Sequence, residues 1–416
     1  MKILGWLCLA WCALIGQVEA QPLFRITVQA GDVGYADYPL SLPIDAWSRL
    51  PGEGLRLMEV GPDGRVEVPF QVVEWEGAVR IDWLLAGAMA PGTQRVYELE
   101  HGLPAVVLHH EARETAEDLL LRTDLGQDLL SYRHALYPAP IGSNPLYARA
   151  GFVHPLNTPA GHALTRIQPP DHIHHYGLWN PWTRLEYGDQ SYDLWNLHLN
   201  QGTVRFAGFD AVYGGPVTAG FVARHAHVIF EEGAEEQVLE EKWFVQVFPQ
   251  GASRYTCDIE SLLMPAGRYD VRLQEYRYGG LVLRLREDWT PASSEIRLSS
   301  GRTRDEGDGS AERWVLIQGD LPEGKGGLLI MASPTNSNFP EPIRLWPSDA
   351  NDGKGDIMFN FSPIKNQDWV LPLGQQAKLG YRLVVFDGTV SEQEAEALWL
   401  AFANPPALTV QCLTEP

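Results

Sequence analysis

Five stretches between Thr203 and Leu285 alternate apolar and polar residues: TVRFAGFDAVYGG, AGFVARHAHVIF, QVLEEKWFVQVF, RYTCDIESLLM and YDVRLQEYRYGGLVLRL. A period of two puts every second side chain on the same face, which is the signature of long antiparallel strands with one buried side. Strands of this length predict an all-β fold built on a large antiparallel sandwich, with a supersandwich-like main domain. On this pattern His225 and His227 share a face. Glu241 falls in phase with Leu239, Trp243 and Val245, and Glu275 and Arg277 are placed to pair beside Val271 and Leu273. Each reads as a structural polar group on an apolar side.

The flanking chain fits around that block. From Leu23 to about His110 the segments FRITVQA, RLMEV, RVEVPFQVVEW, VRIDWLL and QRVYELEH are short strands split by Gly and Pro turns, which predicts a small β-sandwich module over 21–110. The main domain then runs over 111–416. It opens with a hairpin around Asp124–Gln127 and continues through LNTPAGHALTRIQPPDHIHHYG, too rich in Pro and Gly for helix. SEQEAEALWLAFA is the one helix, with Ser391 as its cap and Glu394 at the capping-box position.

The first twenty residues read as a secretory leader: Lys2, an apolar run, then Val18-Glu19-Ala20 as a cleavage site. The run is too short for a membrane span, and no later stretch is long and apolar enough. The expected location is therefore secreted or periplasmic. Cys257 and Cys412 would be the cysteines of the mature chain, where an oxidising compartment leaves a disulfide and two separate thiols equally open. The net charge of -21 argues against nucleic acid and disfavours polyanions unless one pocket is locally basic.

Nine of the twelve histidines lie between His134 and His227, and the densest group is PPDHIHHYGLWNPWTRLEYGDQSYDLW, residues 169–195. Imidazole changes charge near neutral pH, and a neighbouring carboxylate orients it. His174 and His175 are the acid–base candidates, with Asp171 and Asp193 assisting. Trp179, Trp182 and Trp195 offer flat faces for a saccharide, while Arg166, Arg205, Asn338 and Glu341 offer hydrogen bonds to it. His172 and His174, two apart on an extended segment, could instead ligate a divalent metal. No nucleophile elbow, phosphate loop or dinucleotide-binding glycine pattern is present.

The stretches PLYARAGFVHPL, LTRIQPPDHIHHYGLWNPW, DLWNL, QGTVRFAGF, FPEPIRLWP and MFNFSPIKNQDWVL resemble the bacterial PmoA-like proteins, a family of unknown function often labelled methane oxygenase. A methane monooxygenase subunit would carry transmembrane helices, so the label does not fit this chain. What the resemblance implies is a β-sandwich connected with carbohydrate catabolism. Relatives carry H-x-H-H-R-G-L-W, and Tyr176 stands here in place of that arginine, which implies a neutral ligand. The leading expectation is an exported carbohydrate-active enzyme that cleaves a glycosidic linkage by hydrolysis or elimination. A sugar-binding protein without catalysis and a metal-dependent oxidoreductase are the alternatives. Sequence leaves the oligomeric state open.

Overall fold

The computed structural model describes residues 22–43, 54–75, 78–105, 108–231 and 233–413; the leader lies outside them. The alternating strands form one edge-to-centre run of an eight-stranded sheet. Gly202–Tyr213, Ala219–Glu231, Ala234–Pro249 and Arg254–Pro265 pair in sequence, followed by Ala377–Asp387, Lys325–Ala332, Trp314–Asp320 and Ser294–Leu298. A nine-stranded sheet faces it. Its centre pairs Met358–Phe361 with Val282–Arg284, then Leu178–Trp179, Phe152–Leu156 and Asp128–Arg133. Trp243, Val245 and Ile259 from the first sheet share one apolar interior with Leu130, Leu178, Leu283 and Phe359 from the second. Burying apolar side chains between two faces is what holds such layers together.

A second core belongs to the N-terminal strands, where Ile26, Val28, Leu40, Trp83, Tyr97 and Leu99 are buried. Its five-stranded sheet is completed from the far end of the chain. Ala407–Cys412 pairs antiparallel with Pro22–Gln29, setting Ile26 opposite Val410. Most of that strand's residues are exposed, so it carries little hydrophobic pattern to announce it. Cys412 is thereby exposed on a sheet edge while Cys257 is buried in the main core, and no disulfide joins them.

YDVRLQEYRYGGLVLRL is two strands, not one long one. Val271–Leu273 joins a small four-stranded sheet and Val282–Arg284 joins the nine-stranded sheet. Gly280 breaks the run: its φ is 94°, and a Cβ there would lie 2.6 Å from the carbonyl oxygen of Phe361. The expected Glu275–Arg277 pair does not form. The Glu275 amide donates to Asp368, and the Arg277 guanidinium stacks 5.2 Å over Tyr278.

The helix runs Glu392–Ala403, and the Ser391 hydroxyl accepts from the Glu394 amide as the cap pattern predicts. Glu394 does not complete the box, because its carboxylate accepts from Arg254 instead. Ala395 and Trp399 pack against Trp314, Met331 and Phe386 on the outer face of the eight-stranded sheet. Among the described residues no helix is long and apolar enough to cross a membrane.

Candidate functional site

Three backbone bonds place the site where the irregular loop meets the ends of central strands of the nine-stranded sheet. The Arg166 amide donates to the Arg284 carbonyl at 3.0 Å, the Gly177 amide to Arg166 at 3.0 Å, and the Arg284 amide to Gly177 at 2.7 Å. Arg166 and Arg284, far apart in sequence, therefore lie side by side. Between Arg166 and Gly177 the chain makes a compact lobe. The His172 amide donates to the Pro169 carbonyl, the His175 amide to His172, and the Gln168 amide back to His175.

Gly177 is required for this closure. Its φ is +66°, and a Cβ would sit 2.4 Å from the Val153 carbonyl oxygen. Gly177→Ala should destabilise the protein by more than the roughly 1–3 kcal/mol of a strained left-handed residue, since the backbone overlap adds to it. Urea unfolding checks this, and an unchanged midpoint would contradict it.

Within the lobe, the His172 ring nitrogen Nδ1 lies 2.8 Å from Asp171 Oδ2. A carboxylate accepts only, so the ring donates from Nδ1, and in the neutral ring Nε2 is then the acceptor. The Asn351 amide donates to the same Oδ2 at 2.6 Å and to Asp356 Oδ2 at 2.7 Å. Arg284 Nη2 lies 2.5 Å from Asp356 and 3.7 Å from Asp171. Burial works against the Asp171 charge, yet the bonds from His172 and from its own backbone N–H, with Arg284 nearby, hold its carboxyl below the usual range. Asp171 is thus ionised at neutral pH.

The other two histidines sit deeper. His174 is pushed down to about 4 by burial and by His172 and His198, so it is neutral at pH 7. His175 is 2 % exposed and is driven further down by burial, His174 and Arg284. Its ring stacks 4.9 Å from His172 and lies tilted, 5.5 Å from Trp179. Trp346 closes the back of the group, 4.8 Å from the His172 ring and 4.8 Å from the Arg284 guanidinium. Asp171 is exposed and His172 and His174 half-buried, so the lobe opens to solvent above a buried layer of aromatic rings and a cation. Cavities of about 350 and 570 Å³ lie elsewhere, around Tyr38 and Arg382, and do not include the lobe.

A family model matches residues 122–400, with the description "Family of unknown function (DUF6807)". The chain belongs to the DUF6807 family. That match replaces the resemblance to PmoA-like proteins, which no family match supports. No curated protein matches the chain. Among solved structures it is similar to an alpha-mannosidase from Enterococcus faecalis V583, at TM-score 0.46 and 6% identity, over 94% of this chain and 46% of that one. It is also similar to a glycosyl hydrolase family 38 protein from Enterococcus faecalis, at TM-score 0.46 and 8% identity, over 94% and 48%. The DUF6807 chain therefore spans less than half the length of either neighbour.

In this DUF6807 chain, Asp171, His172, His174, His175, Trp179, Trp195 and Arg166 come together, while the remaining candidates do not. The Asp193 carboxylate closes its own turn, accepting from the amides of Trp195 and Asn196 and from the Asn196 side chain. Trp182 packs in the main core against Trp369. Trp179 and Trp195 are 0 % and 3 % exposed, so they support the imidazoles and present no open face for stacking. Arg205 pairs with Glu235 on the outer strand of the eight-stranded sheet. Asn338 donates to the Pro363 carbonyl and to Asn366. Among the described residues no group of three or more His, Cys, Asp or Glu is arranged to hold a metal, and the Nδ1 of His172 is already taken by Asp171. Tyr176 points away, its hydroxyl donating to the Tyr147 carbonyl, so it says nothing about ligand charge.

Glu341 is buried apart from the lobe, accepting from Asn336 and Tyr381. Burial pushes its carboxyl up to about 8, against the lowering effect of those two donors. A raised carboxyl stabilises the fold most at low pH and loses that contribution as pH rises through the folded value. Glu341→Gln should therefore flatten the decline in stability between about pH 4.5 and 8, read from urea midpoints across that range. A decline of unchanged slope in the variant would contradict it.

Arg284, Asp356, Asn351 and Trp346 are the site residues that sequence reading misses. Arg284 alone had a signal: it is a charged residue inside the otherwise apolar run LVLRL. Such a residue, fully buried here, calls for a partner.

Proposed function

We propose that this protein is an enzyme that binds a polyhydroxylated, sugar-like ligand over the lobe and moves a proton on it. The observation that carries this reading is the Asp171–His172 pair, 2.8 Å apart and facing solvent. Asp171 fixes the ring so that Nε2 is the base. Solvent-facing Asp171, His172, His174 and Asn351 supply donors and acceptors for hydroxyl groups.

Within this reading, elimination fits better than hydrolysis. Two carboxylates at the lobe, Asp171 and Asp356, are bonded by one Asn351 amide. Their Oδ2 atoms thus lie within about 5.3 Å. That is near the retaining separation, but the space between them is filled by Asn351 and Arg284. A glycosidase pair must instead face each other across the scissile bond. A single oriented imidazole suits abstraction of a proton from carbon next to an electron-withdrawing group. His172 Nε2 takes that proton, the C–H pair becomes a C=C bond, and the adjacent C–O bond breaks with its pair on oxygen. The imidazolium then returns the proton to the departing oxygen.

The leader pattern makes export part of the proposal, and the N-terminal strands over 21–110 are read as a packing module. The test is incubation with a panel of oligosaccharides, followed by mass spectrometry. Elimination cleaves without adding water, and hydrolysis adds one water per cut. Saturable binding with no product would leave a sugar-binding protein in place of an enzyme.

A further inference from the structure

We infer that the ligand carries a carboxylate and that Arg166 receives it, so that the sugar is a uronate or similar sugar acid. This rests on the proton-transfer reading and deepens it. The chain holds 53 acidic residues against 32 Lys and Arg, so an arginine readily finds a carboxylate. Several do so in full. Arg382 forks onto Asp258 at 2.6 and 2.8 Å, and Arg313 onto Glu396 at 2.9 and 3.0 Å.

Arg166 does not. Its contacts with Asp171, Asp356 and Glu287 are 3.5, 3.5 and 3.8 Å, and its Nε has no partner. Charge-assisted bonds to carboxylates run at about 2.7–2.9 Å, so this guanidinium has unused capacity at a lobe that opens to solvent. Arg284 lies beneath it, fully buried, with Nε and Nη1 both unpartnered. Leaving such donors unmet in low dielectric is costly; Asp171 and Asp356 balance the two charges but meet Arg166 only at 3.5 Å, so donors of both guanidiniums are left for a further oxygen acceptor. His174 and His175, both neutral, add no competing charge but keep their hydrogen-bonding atoms.

Placement agrees with the chemistry. Asp171 offers Oδ1 to Arg166 and Oδ2 to His172, so the cation and the base flank one carboxylate. A ligand carboxylate held on Arg166 has its neighbouring carbon close to His172. Neutralising it by a guanidinium acidifies the adjacent C–H, which is what elimination requires. Glu287, 86% exposed, is the anion that a ligand carboxylate would displace from Arg166.

The test is calorimetric titration of the full chain with glucuronate and galacturonate, set against glucose and galactose. The wild type should bind at least one uronate about 10- to 100-fold more tightly than its neutral counterpart. Arg166→Gln should remove that preference. Glu287→Gln, an exposed change that does not threaten the fold, should tighten uronate binding several-fold. His172→Gln should still bind the uronate while losing turnover. Equal binding of both sugar classes, or uronate affinity untouched by Glu287→Gln, would overturn the carboxylate inference and leave proton transfer standing. Uronate binding with turnover intact in His172→Gln would do the reverse. Binding of neither class by the wild type would overturn both.

Discussion

His172→Gln should lower turnover by about 10²–10⁴-fold, the range lost when a positioned acid–base group is removed, with only a small loss of thermal stability. The side chain is 29% exposed, and its one hydrogen bond runs to Asp171, which keeps Asn351 and Arg284 as partners. The ring packs on His175 and Trp346, so the cost should stay near the ~1 kcal/mol typical of a single substitution. Glutamine retains a donor for Asp171 but has no imidazole to take a proton. Asp171→Asn should also cut turnover, because the ring loses the acceptor that fixes its tautomer, and it should cost stability as well. The carboxylate there faces Arg284 and Arg166, so neutralising it leaves two cations less balanced. A rate assay beside a melting curve separates the two variants. Equal melting loss in both would contradict the assignment of Asp171 as the charge that balances Arg166 and Arg284.

Glu241→Ala should destabilise the protein by about 3–5 kcal/mol, the cost of removing one partner from a buried charged network. Glu241 is fully buried between the sheets. Its Oε1 accepts from Asn180 at 2.5 Å, Ser261 at 2.5 Å and Trp243 at 2.6 Å. Its Oε2 faces His227 Nε2 at 2.9 Å and His225 Nδ1 at 3.3 Å. With Nδ1 donating, His225 Nε2 accepts from the Tyr132 hydroxyl at 2.6 Å, which extends the network into the opposite sheet. Alanine would leave five buried donors without their acceptor.

Burial opposes the Glu241 charge, but the bonds from His225 and His227 outweigh it and hold its carboxyl well below the ordinary range. A depressed carboxyl contributes stability that is present above its unfolded value and lost as pH falls through the folded one. The wild type should therefore lose more stability than Glu241→Gln as pH drops below about 4.5. Guanidinium midpoints from pH 7 down to pH 3 measure it, and parallel curves would contradict the ionised assignment.

Much of the scaffold is legible because its cause is local. Period-two alternation sets the long strands, and phase puts His225 with His227 on one face and Glu241 on the apolar side of the next strand; the register that sets His225 opposite Glu241 comes from the structure. The helix is legible from Ser391 and its apolar face. The pairing of Ala407–Cys412 with Pro22–Gln29 is not, since register between distant segments is decided by tertiary fit. The same divide runs through the site. Asp171, His172, His174 and His175 are visible because they are contiguous. Arg284, Trp346, Asn351 and Asp356 arrive from more than 100 positions away, carried by adjacent strands and the loop beyond them. Tryptophan misleads in a particular way. Composition shows large flat rings, but only packing tells a ring that stacks on a ligand from one that backs a histidine, and Trp179 and Trp195 are of the second kind.

The central claim is that His172, aimed by Asp171, moves a proton on a bound sugar. The most direct measurement is mass spectrometry of products from acidic and neutral oligosaccharides, with wild type and His172→Gln run side by side. The expected result is cleavage by the wild type without gain of water and none by the variant. Equal product from both proteins would contradict it, as would cleavage that adds water in every case.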